Sequence, residues 1–273
     1  MNKWIRIMRP VNGLMGFFSI YIIAFIAVNI HIASYIIPVT LGAISVFLVT
    51  AGGNVINDIS DYESDKINHP KRPLPEGSIS RKSAYYFFFF LFIAAFILSF
   101  GINFYIPGFI LLAEFLLVSY EFKTKKIGLP GNATISFLIG MIFLFGGLLT
   151  DTLSKMILLF LLAFFSNMSR ELMKDIEDVK GDIDRNTFPK RHGINSAKIL
   201  SIIFIIATVS ISILPYYFKI LSIYYVYAVI IDDIMFLTTA YLLFKSVSSA
   251  QKISKIAMIW GMFAFLLGGF ASL

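Results

Sequence analysis

Two short acidic clusters have the residue types and the spacing to hold divalent cations. They are Asn57-Asp58-x2-Asp61-x3-Asp65 and Asp175-x2-Asp178-x3-Asp182, and each aspartate of the second lies 117 residues after its counterpart in the first. Spacings of three and four residues predict that the aspartates of one cluster share a helix face. Asn57 extends the first face because it lies four residues before Asp61.

Carboxylates at these spacings need a compensating cation, because they repel one another and oppose the helix dipole at a C-terminus. Lysine and arginine side chains on a solvated loop could supply that charge. Carboxylate and amide oxygens are also the ligands of hard divalent cations, and Mg²⁺ commonly combines a few carboxylates with substrate phosphates. We therefore predict that the two clusters converge on Mg²⁺ and a diphosphate substrate.

Basic residues near the clusters are candidates for phosphate contacts, since guanidinium and ammonium groups form charge-assisted hydrogen bonds with phosphate oxygens. Arg72, which begins the segment Arg-Pro-Leu-Pro-Glu-Gly, is the strongest candidate. Arg170 and Glu171 lie about one turn before Asp175 and are predicted to line the site. The other basic candidates are Lys71, Lys123, Lys125, Lys126, Arg185, Lys190 and Arg191.

The composition predicts that membrane helices position these residues. Hydrophobic residues make up 58% of the 273 residues, charged residues make up 14%, and the mean hydropathy is +0.82. A soluble domain has about 25% charged residues, so the surplus apolar surface must face lipid. There is no cysteine, which excludes disulfides and thiolate metal sites, and three scattered histidines argue against a zinc or haem site.

Nine apolar segments are long enough to be membrane spans, which need about 20 residues each. The first is too long for the apolar part of a signal peptide. The predicted spans are 11–30, 35–57, 83–101, 104–120, 133–150, 154–173, 197–217, 220–244 and 255–272.

The positive charges predict the orientation of these spans. With a cytoplasmic N-terminus and an external C-terminus, every Lys and Arg except Lys155 and Lys219 falls on the cytoplasmic side. This asymmetry explains the net charge of +7 without a nucleic-acid partner. Both acidic clusters follow even-numbered spans, the second and the sixth, which suggests a tandem four-helix repeat with a ninth helix added.

A few charged residues fall inside the predicted spans, where charge is costly and usually serves a function. Glu114 lies in the fourth span. Asp232 and Asp233 lie near the middle of the eighth span, where they either face a cavity or mark a kink.

The two motifs, Asn57-x3-Asp61-x3-Asp65 and Asp175-x2-Asp178-x3-Asp182, resemble those of the UbiA superfamily of intramembrane prenyltransferases. The resemblance implies an all-α membrane fold of nine helices, a single transmembrane domain over residues 1–273 and a central cavity open to the cytoplasm. It implies two Mg²⁺ ions, held by Asn57, Asp61, Asp65, Asp175, Asp178 and Asp182, with Asp58 also in the catalytic cluster. It further implies substrate contacts from Arg9, Asn12, Arg72, Tyr120, Lys125, Lys126, Arg170, Glu171 and Lys174.

Within the superfamily, the segments Asn68-His-Pro-Lys-Arg-Pro-Leu-Pro-Glu-Gly77, Arg170-Glu-Leu-Met-Lys174 and Arg9-Pro-Val-Asn12 resemble the archaeal ether-lipid branch. This resemblance implies transfer of a geranylgeranyl group from geranylgeranyl diphosphate to geranylgeranylglyceryl phosphate in the cytoplasmic membrane. The nearest alternative is an aromatic prenyltransferase of quinone or haem biosynthesis. An ion-coupled transporter is more distant, because transporter sites usually lie near the bilayer midplane, whereas these clusters lie at the ends of spans.

Overall fold

The structure is a computed structural model that describes residues 2–179 and 186–270, and this part of the chain contains helices and no strand. The α-helices, in chain order, are α1 (Lys3–Met8), α2 (Pro10–Val28), α3 (Ile36–Ser60), α4 (Tyr62–Asn68), α5 (Arg81–Ser99), α6 (Ile106–Phe122), α7 (Leu129–Leu149), α8 (Leu153–Asp178), α9 (Phe188–His192), α10 (Ile194–Ile211), α11 (Leu214–Tyr217), α12 (Ile223–Leu242) and α13 (Val247–Phe270). Short 3₁₀ helices occupy Asn29–Tyr35 and Thr124–Lys126.

Seven segments of the described chain are long and apolar enough to cross a membrane. The first, Pro10–Ser60, has 51 residues and comprises α2, the 3₁₀ helix Asn29–Tyr35 and α3. The others are α5, α7, α8, α12, α13 and the segment Ile194–Tyr217, which joins α10 and α11. The apolar helix α6 has 17 residues. The prediction of an all-helical membrane protein is therefore confirmed.

The first of two compact units comprises Met1–Ile22 and Ser34–Phe122. In this unit, α3 packs against α5, α6 and α1. The core between α1, α3 and α5 is apolar and includes Ile7, Val55, Ile59 and Phe88. The packing holds the C-terminal end of α3, which carries the first acidic cluster, against the short N-terminal helix α1.

The second compact unit comprises Ile23–Ala33 and Lys123–Leu273. Here α8 packs against α7, α10 and α13, and α12 packs against α13. Side-chain hydrogen bonds join some of these helices, because polar groups in lipid must find partners within the protein. Ser169 and Ser201 connect α8 to α10 through their hydroxyls at 2.8 Å, and Trp260 Nε1 donates to Ala228 O at 2.9 Å.

The close packing of α3 on α5 depends on Gly52. A Cβ at this position would lie 2.5 Å from the ring of Phe92, which is buried and packed against Phe88 with ring centroids 4.5 Å apart. We predict that Gly52→Ala destabilises the purified protein by about 1–3 kcal/mol, the usual cost of overpacking. Thermal unfolding in detergent measures this cost.

The matched control is Gly108→Ala in α6, where an added Cβ has no atom within 4 Å. This control should keep or slightly raise the melting temperature, because alanine favours a helix over glycine. Equal melting temperatures for the two variants would contradict the packing account.

Candidate active site

Each acidic cluster begins in the last turn of a long apolar helix. The first begins in the last turn of α3, and Asp61 separates α3 from α4. The helical hydrogen-bond pattern continues across this junction: Asp61 N–H donates to Asn57 O at 2.9 Å, and Asp65 N–H donates to Asp61 O at 2.8 Å. The side chains therefore keep nearly helical spacing although α3 formally ends at Ser60.

One side of the first cluster faces α6. Asn57 Nδ2 donates to Asp61 Oδ2 at 3.2 Å and to the two carboxylate oxygens of Glu121 at 3.1 and 3.0 Å. The hydroxyl of Ser60 donates to Glu121 Oε2 at 3.0 Å. Glu121 is buried. It thus fixes the direction in which the Asn57 amide points.

The other side of the cluster is neutralised by arginines. Asp58 has a side chain only 2% exposed and accepts a hydrogen bond from Arg9, and Arg72 Nη1 lies 3.5 Å from the same Asp58 oxygen. Arg72 Nη1 also donates to Asp65 Oδ2 at 2.5 Å. Asp58 and Asp65 are both buried, and buried charges persist in proteins when they are paired.

The prediction of one shared face needs a correction. In an uninterrupted helix the four residues would span about 100° of arc, which is wide enough to reach two sets of neighbours. The amide nitrogen of Asn57 contacts Asp61 and Glu121, whereas Asp58 and Asp65 contact arginines. The compensation by basic residues that the sequence left open is therefore present for Asp58 and Asp65.

The second cluster begins at the C-terminal end of α8. Asp175 lies within the last turn of α8 and accepts a hydrogen bond from Asn132 Nδ2 of α7 at 2.8 Å. Asp178 is the last residue of α8 and is exposed. Asp182 and the basic candidate Arg185 lie outside the described residues.

The predicted contacts beside Asp175 form their own ion pairs. Glu171 is buried, and its Oε1 accepts a hydrogen bond from Arg170 at 3.1 Å. Its Oε2 lies 3.7 Å from Lys174 Nζ. Arg170, Glu171 and Lys174 therefore form one small charged group at the end of α8, close in sequence to Asp175.

The loop that carries Lys125 and Lys126 is fastened to the chain after the second cluster. Asn186 N–H donates to Lys126 O at 3.1 Å. Gly128 has φ +78° and lies so close to this segment that a Cβ would be 2.8 Å from Phe188 N. The loop therefore requires glycine at position 128, both for its backbone conformation and for the close approach. Lys125 is half-buried and Lys126 is exposed.

The remaining predicted residues differ in their surroundings. Asn12 is exposed, and its backbone N–H donates to Arg9 O at 2.9 Å. Tyr120 is half-buried near the end of α6. Glu114 is buried in α6. Asp232 is buried in the continuous helix α12 and lines a cavity of about 130 Å³ in the second unit, so the structure favours the cavity over the kink.

Lys66, at the edge of the first cluster, makes weaker and more exposed contacts. Lys66 Nζ donates to Glu63 Oε2 at 3.0 Å and lies 4.4 Å from the centroid of the Tyr62 ring. The hydrogen bond with Glu63 raises the pKa of Lys66. This exposed pair is worth little to stability.

Sequence reasoning missed Glu121 and Asn132, which hold residues of the two clusters. Glu121 adjoins the basic loop, where a single carboxylate resembles ordinary surface charge. Asn132 carries no charge and lies in the first turn of a long apolar helix. A signal for Glu121 was available, since it lies two turns after Glu114 on the same face of α6.

The donors of the first cluster suit a hard cation. Within residues 2–179 and 186–270, no three carboxylates or imidazoles come close enough to share one metal ion. Asp61 and Glu121 place carboxylate oxygens beside the amide nitrogen of Asn57, whose oxygen accepts a hydrogen bond from Arg9 at 3.4 Å. Because these donors are oxygens alone, their chemistry fits Mg²⁺ better than a softer metal.

Comparison with known proteins identifies the family. The sequence profile of the UbiA prenyltransferase family matches residues 16–267. The chain is 39% identical over 270 residues to the digeranylgeranylglyceryl phosphate synthase of Methanosphaera stadtmanae, covering 97% of each chain. It is 35% identical over 276 residues to the enzyme of that name from Methanothermobacter thermautotrophicus, covering 98% of this chain and 96% of the relative.

Solved structures show the same fold. A structure of digeranylgeranylglyceryl phosphate synthase superposes with a TM-score of 0.90 at 34% identity and covers 98% of both chains. A UbiA homologue from Archaeoglobus fulgidus, bound to GPP and Mg²⁺, superposes with a TM-score of 0.66 at 15% identity, over 97% of this chain and 99% of its own. The chain belongs to the UbiA prenyltransferase family and is an intramembrane prenyltransferase.

The pairing of Asp58 with two arginines predicts a structural cost for its removal. Asp58→Ala should destabilise the metal-free protein by about 1–3 kcal/mol, because Arg9 and Arg72 lose a buried partner but stay partly exposed to water. Thermal unfolding in detergent with a chelator measures this effect. Glu76→Ala is the control, since Glu76 pairs with Arg6 near the surface and such pairs contribute less than about 1 kcal/mol. If Glu76→Ala lost as much stability as Asp58→Ala, the proposed stabilisation by the buried Asp58 would be wrong.

Proposed function

We propose that this prenyltransferase transfers a geranylgeranyl group from geranylgeranyl diphosphate to the free hydroxyl of geranylgeranylglyceryl phosphate. This reaction forms the second ether bond of archaeal membrane lipids and releases diphosphate. The observation that carries the proposal is the similarity, at 34–39% identity over nearly the full length, to enzymes named for the lipid that this reaction makes.

We infer that Mg²⁺ is the cofactor and that two ions bind. The oxygen donors of the first cluster support this inference, as do the Archaeoglobus fulgidus family members bound to Mg²⁺ with GPP or with DMAPP. The proposed ligands are Asn57, Asp61, Asp65, Asp175, Asp178 and Asp182, of which Asp182 lies outside the described residues.

The chemistry is an exchange of one carbon–oxygen bond for another. Bound Mg²⁺ would stabilise the negative charge that develops on the departing diphosphate. Arg72, Tyr120, Lys125 and Lys126 are the proposed hydrogen-bond donors to the diphosphate oxygens. The carbon–oxygen bond to diphosphate breaks and leaves an allylic cation. The acceptor hydroxyl attacks this cation, and its proton passes to the released diphosphate. The apolar helices exclude water, which would otherwise capture the allylic cation.

We further propose nine membrane crossings in a single domain over residues 1–273, with the N-terminus in the cytoplasm and the C-terminus outside. Two observations support nine crossings. First, α2 and α3 are separate helices joined by the 3₁₀ helix Asn29–Tyr35. Second, α6 is a helix of 17 residues that is rich in apolar side chains. The distribution of Lys and Arg supports the orientation and the cytoplasmic side for both clusters. The tandem four-helix repeat remains part of this proposal.

The proposed reaction can be assayed with detergent-purified protein, geranylgeranyl diphosphate, Mg²⁺ and geranylgeranylglyceryl phosphate, with mass spectrometry of the products. We expect a diether product that Asp61→Ala and Asp178→Ala each reduce at least a hundredfold. Glu63→Ala and Glu177→Ala are the controls, because each removes an exposed carboxylate near one cluster, and both should retain activity.

The acceptor is tested in the same assay with 4-hydroxybenzoate in place of the glyceryl phosphate. Prenylation of the aromatic acid alone would overturn the proposed acceptor and leave the metal-dependent transfer intact. No product from either acceptor, together with no Mg²⁺-dependent binding of geranylgeranyl diphosphate, would overturn the proposed enzyme activity.

The contacts of Glu121 predict a role in metal binding. Glu121→Ala should raise the Mg²⁺ concentration needed for half-maximal binding of geranylgeranyl diphosphate about tenfold, because Asn57 loses the partner that orients its amide. Glu121→Gln should raise it less, since the glutamine oxygen can still accept from Asn57 Nδ2. Equilibrium binding of labelled donor at increasing Mg²⁺ measures this without catalysis. An unchanged Mg²⁺ requirement in Glu121→Ala would show that the contact does not serve the metal.

A further inference from the structure

A cavity of about 130 Å³ lies inside the second unit, and none of the residues that line it belongs to either acidic cluster. Helices α7, α8, α10, α12 and α13 contribute to its wall, and Asp232 is the charged residue among those that line it. Asp232 is near the middle of α12 (Ile223–Leu242), so it lies about 15 Å from either end of this helix. In a helix that crosses a membrane, this is the depth at which charge is most costly.

The carboxyl group of Asp232 has no partner among residues 2–179 and 186–270. The residue is only 7% exposed, and its Oδ1 is buried without a hydrogen bond or an ion pair. Gly261 of α13 lies against the other oxygen, since a Cβ at this position would be 3.1 Å from Asp232 Oδ2. A buried carboxyl group without a partner is costly whether it is charged or protonated. Its partner must therefore be an occupant of the cavity.

The hydroxyl groups that line the same cavity use their hydrogens elsewhere. Ser166 and Thr208 donate to backbone carbonyls about one turn earlier in their own helices, at 3.2 and 2.9 Å. Tyr225 donates to Ser212 O at 2.5 Å, and the Ser212 hydroxyl donates to Asp233 Oδ2 at 2.8 Å. All four hydroxyl-bearing residues are buried and line the cavity. Because a hydroxyl has a single hydrogen, these groups offer the cavity only the lone pairs of their oxygens.

We propose that this cavity binds an alkali cation, Na⁺ or K⁺, through the Asp232 carboxylate and the surrounding hydroxyl oxygens. The described residues that line it include no lysine, arginine, histidine, tryptophan, asparagine or glutamine, so its polar side chains present acceptors and no free donor. A monovalent ion balances the charge of one carboxylate, whereas Mg²⁺ and Ca²⁺ usually take more than one. The volume equals that of about four water molecules, which leaves room for the ion and part of its hydration shell. This inference does not depend on the proposed function.

The test is thermal unfolding of the purified protein in detergent, with a chelator present to remove divalent ions. Na⁺, K⁺ or choline is added as the chloride at equal ionic strength. Because a ligand that binds only the folded state stabilises it, we expect Na⁺ or K⁺ to raise the melting temperature saturably, by about 5 °C. Choline is too large for the cavity and should have no such effect.

Three variants assign the effect to the cavity. Asp232→Asn should abolish the rise, because the amide keeps the shape of the side chain and removes its charge. Asp233→Asn is the matched control, since it removes the same charge from the next residue, which contacts Ser212 and does not line the cavity. This control should keep the rise. Thr208→Val removes one hydroxyl oxygen and no charge, so it should raise the cation concentration for half-maximal stabilisation about fivefold.

Several results would overturn the proposal. An equal rise with choline would assign the effect to ionic strength, and a rise that persists in Asp232→Asn would assign the cation to another site. No rise with either alkali cation would mean that Asp232 is protonated and that the cavity holds water alone. Thr208→Val tests the same site without changing the carboxylate, and an unchanged half-maximal concentration in this variant would also count against it. Retention of radioactive Na⁺ by the wild type, and its loss in Asp232→Asn, would support the site directly.

Discussion

Burial of carboxylates at the end of an apolar helix is the constraint on which the first unit depends. Asp58 is almost completely buried in the last turn of α3, where the helix dipole also disfavours a negative charge. Arg9 can reach it because the chain turns sharply between α1 and α2, with φ 48° at Arg9 itself. Arg72 reaches it because the chain folds back after α4. The short N-terminal helix and the segment after α4 are thus both placed by the need to neutralise one buried aspartate.

This constraint divides the first cluster into two parts with different chemistry. Asp58 pairs with Arg9 and Arg72, whereas the amide nitrogen of Asn57 donates hydrogen bonds to the carboxylates of Asp61 and Glu121. In the proposed function the carboxylate oxygens of the cluster serve a metal ion, and Arg72 donates hydrogen bonds directly to the diphosphate oxygens.

Much of this arrangement could be predicted from the sequence because it depends on local periodicity. Each of the nine predicted apolar segments overlaps a helix of the described chain, and the spacing of Asp58, Asp61 and Asp65 predicts one broad side of a helix. The division of that side could not be predicted. It depends on Arg9, which is 49 residues from Asp58 in the sequence, and on Glu121, which is 64 residues from Asn57. Only tertiary packing brings α1 and α6 to opposite edges of α3, and helical periodicity carries no information about it.

The most direct test of the division is a structure of the protein with Mn²⁺ and a non-hydrolysable donor diphosphate, with the metal located by anomalous scattering. The account predicts a metal peak within about 2.0–2.3 Å of Asp61 and Asn57 oxygens, distances typical of Mg²⁺-like ions, while Asp58 keeps its contacts with Arg9 and Arg72. A metal ion coordinated by Asp58, with Arg9 displaced from it, would contradict the account.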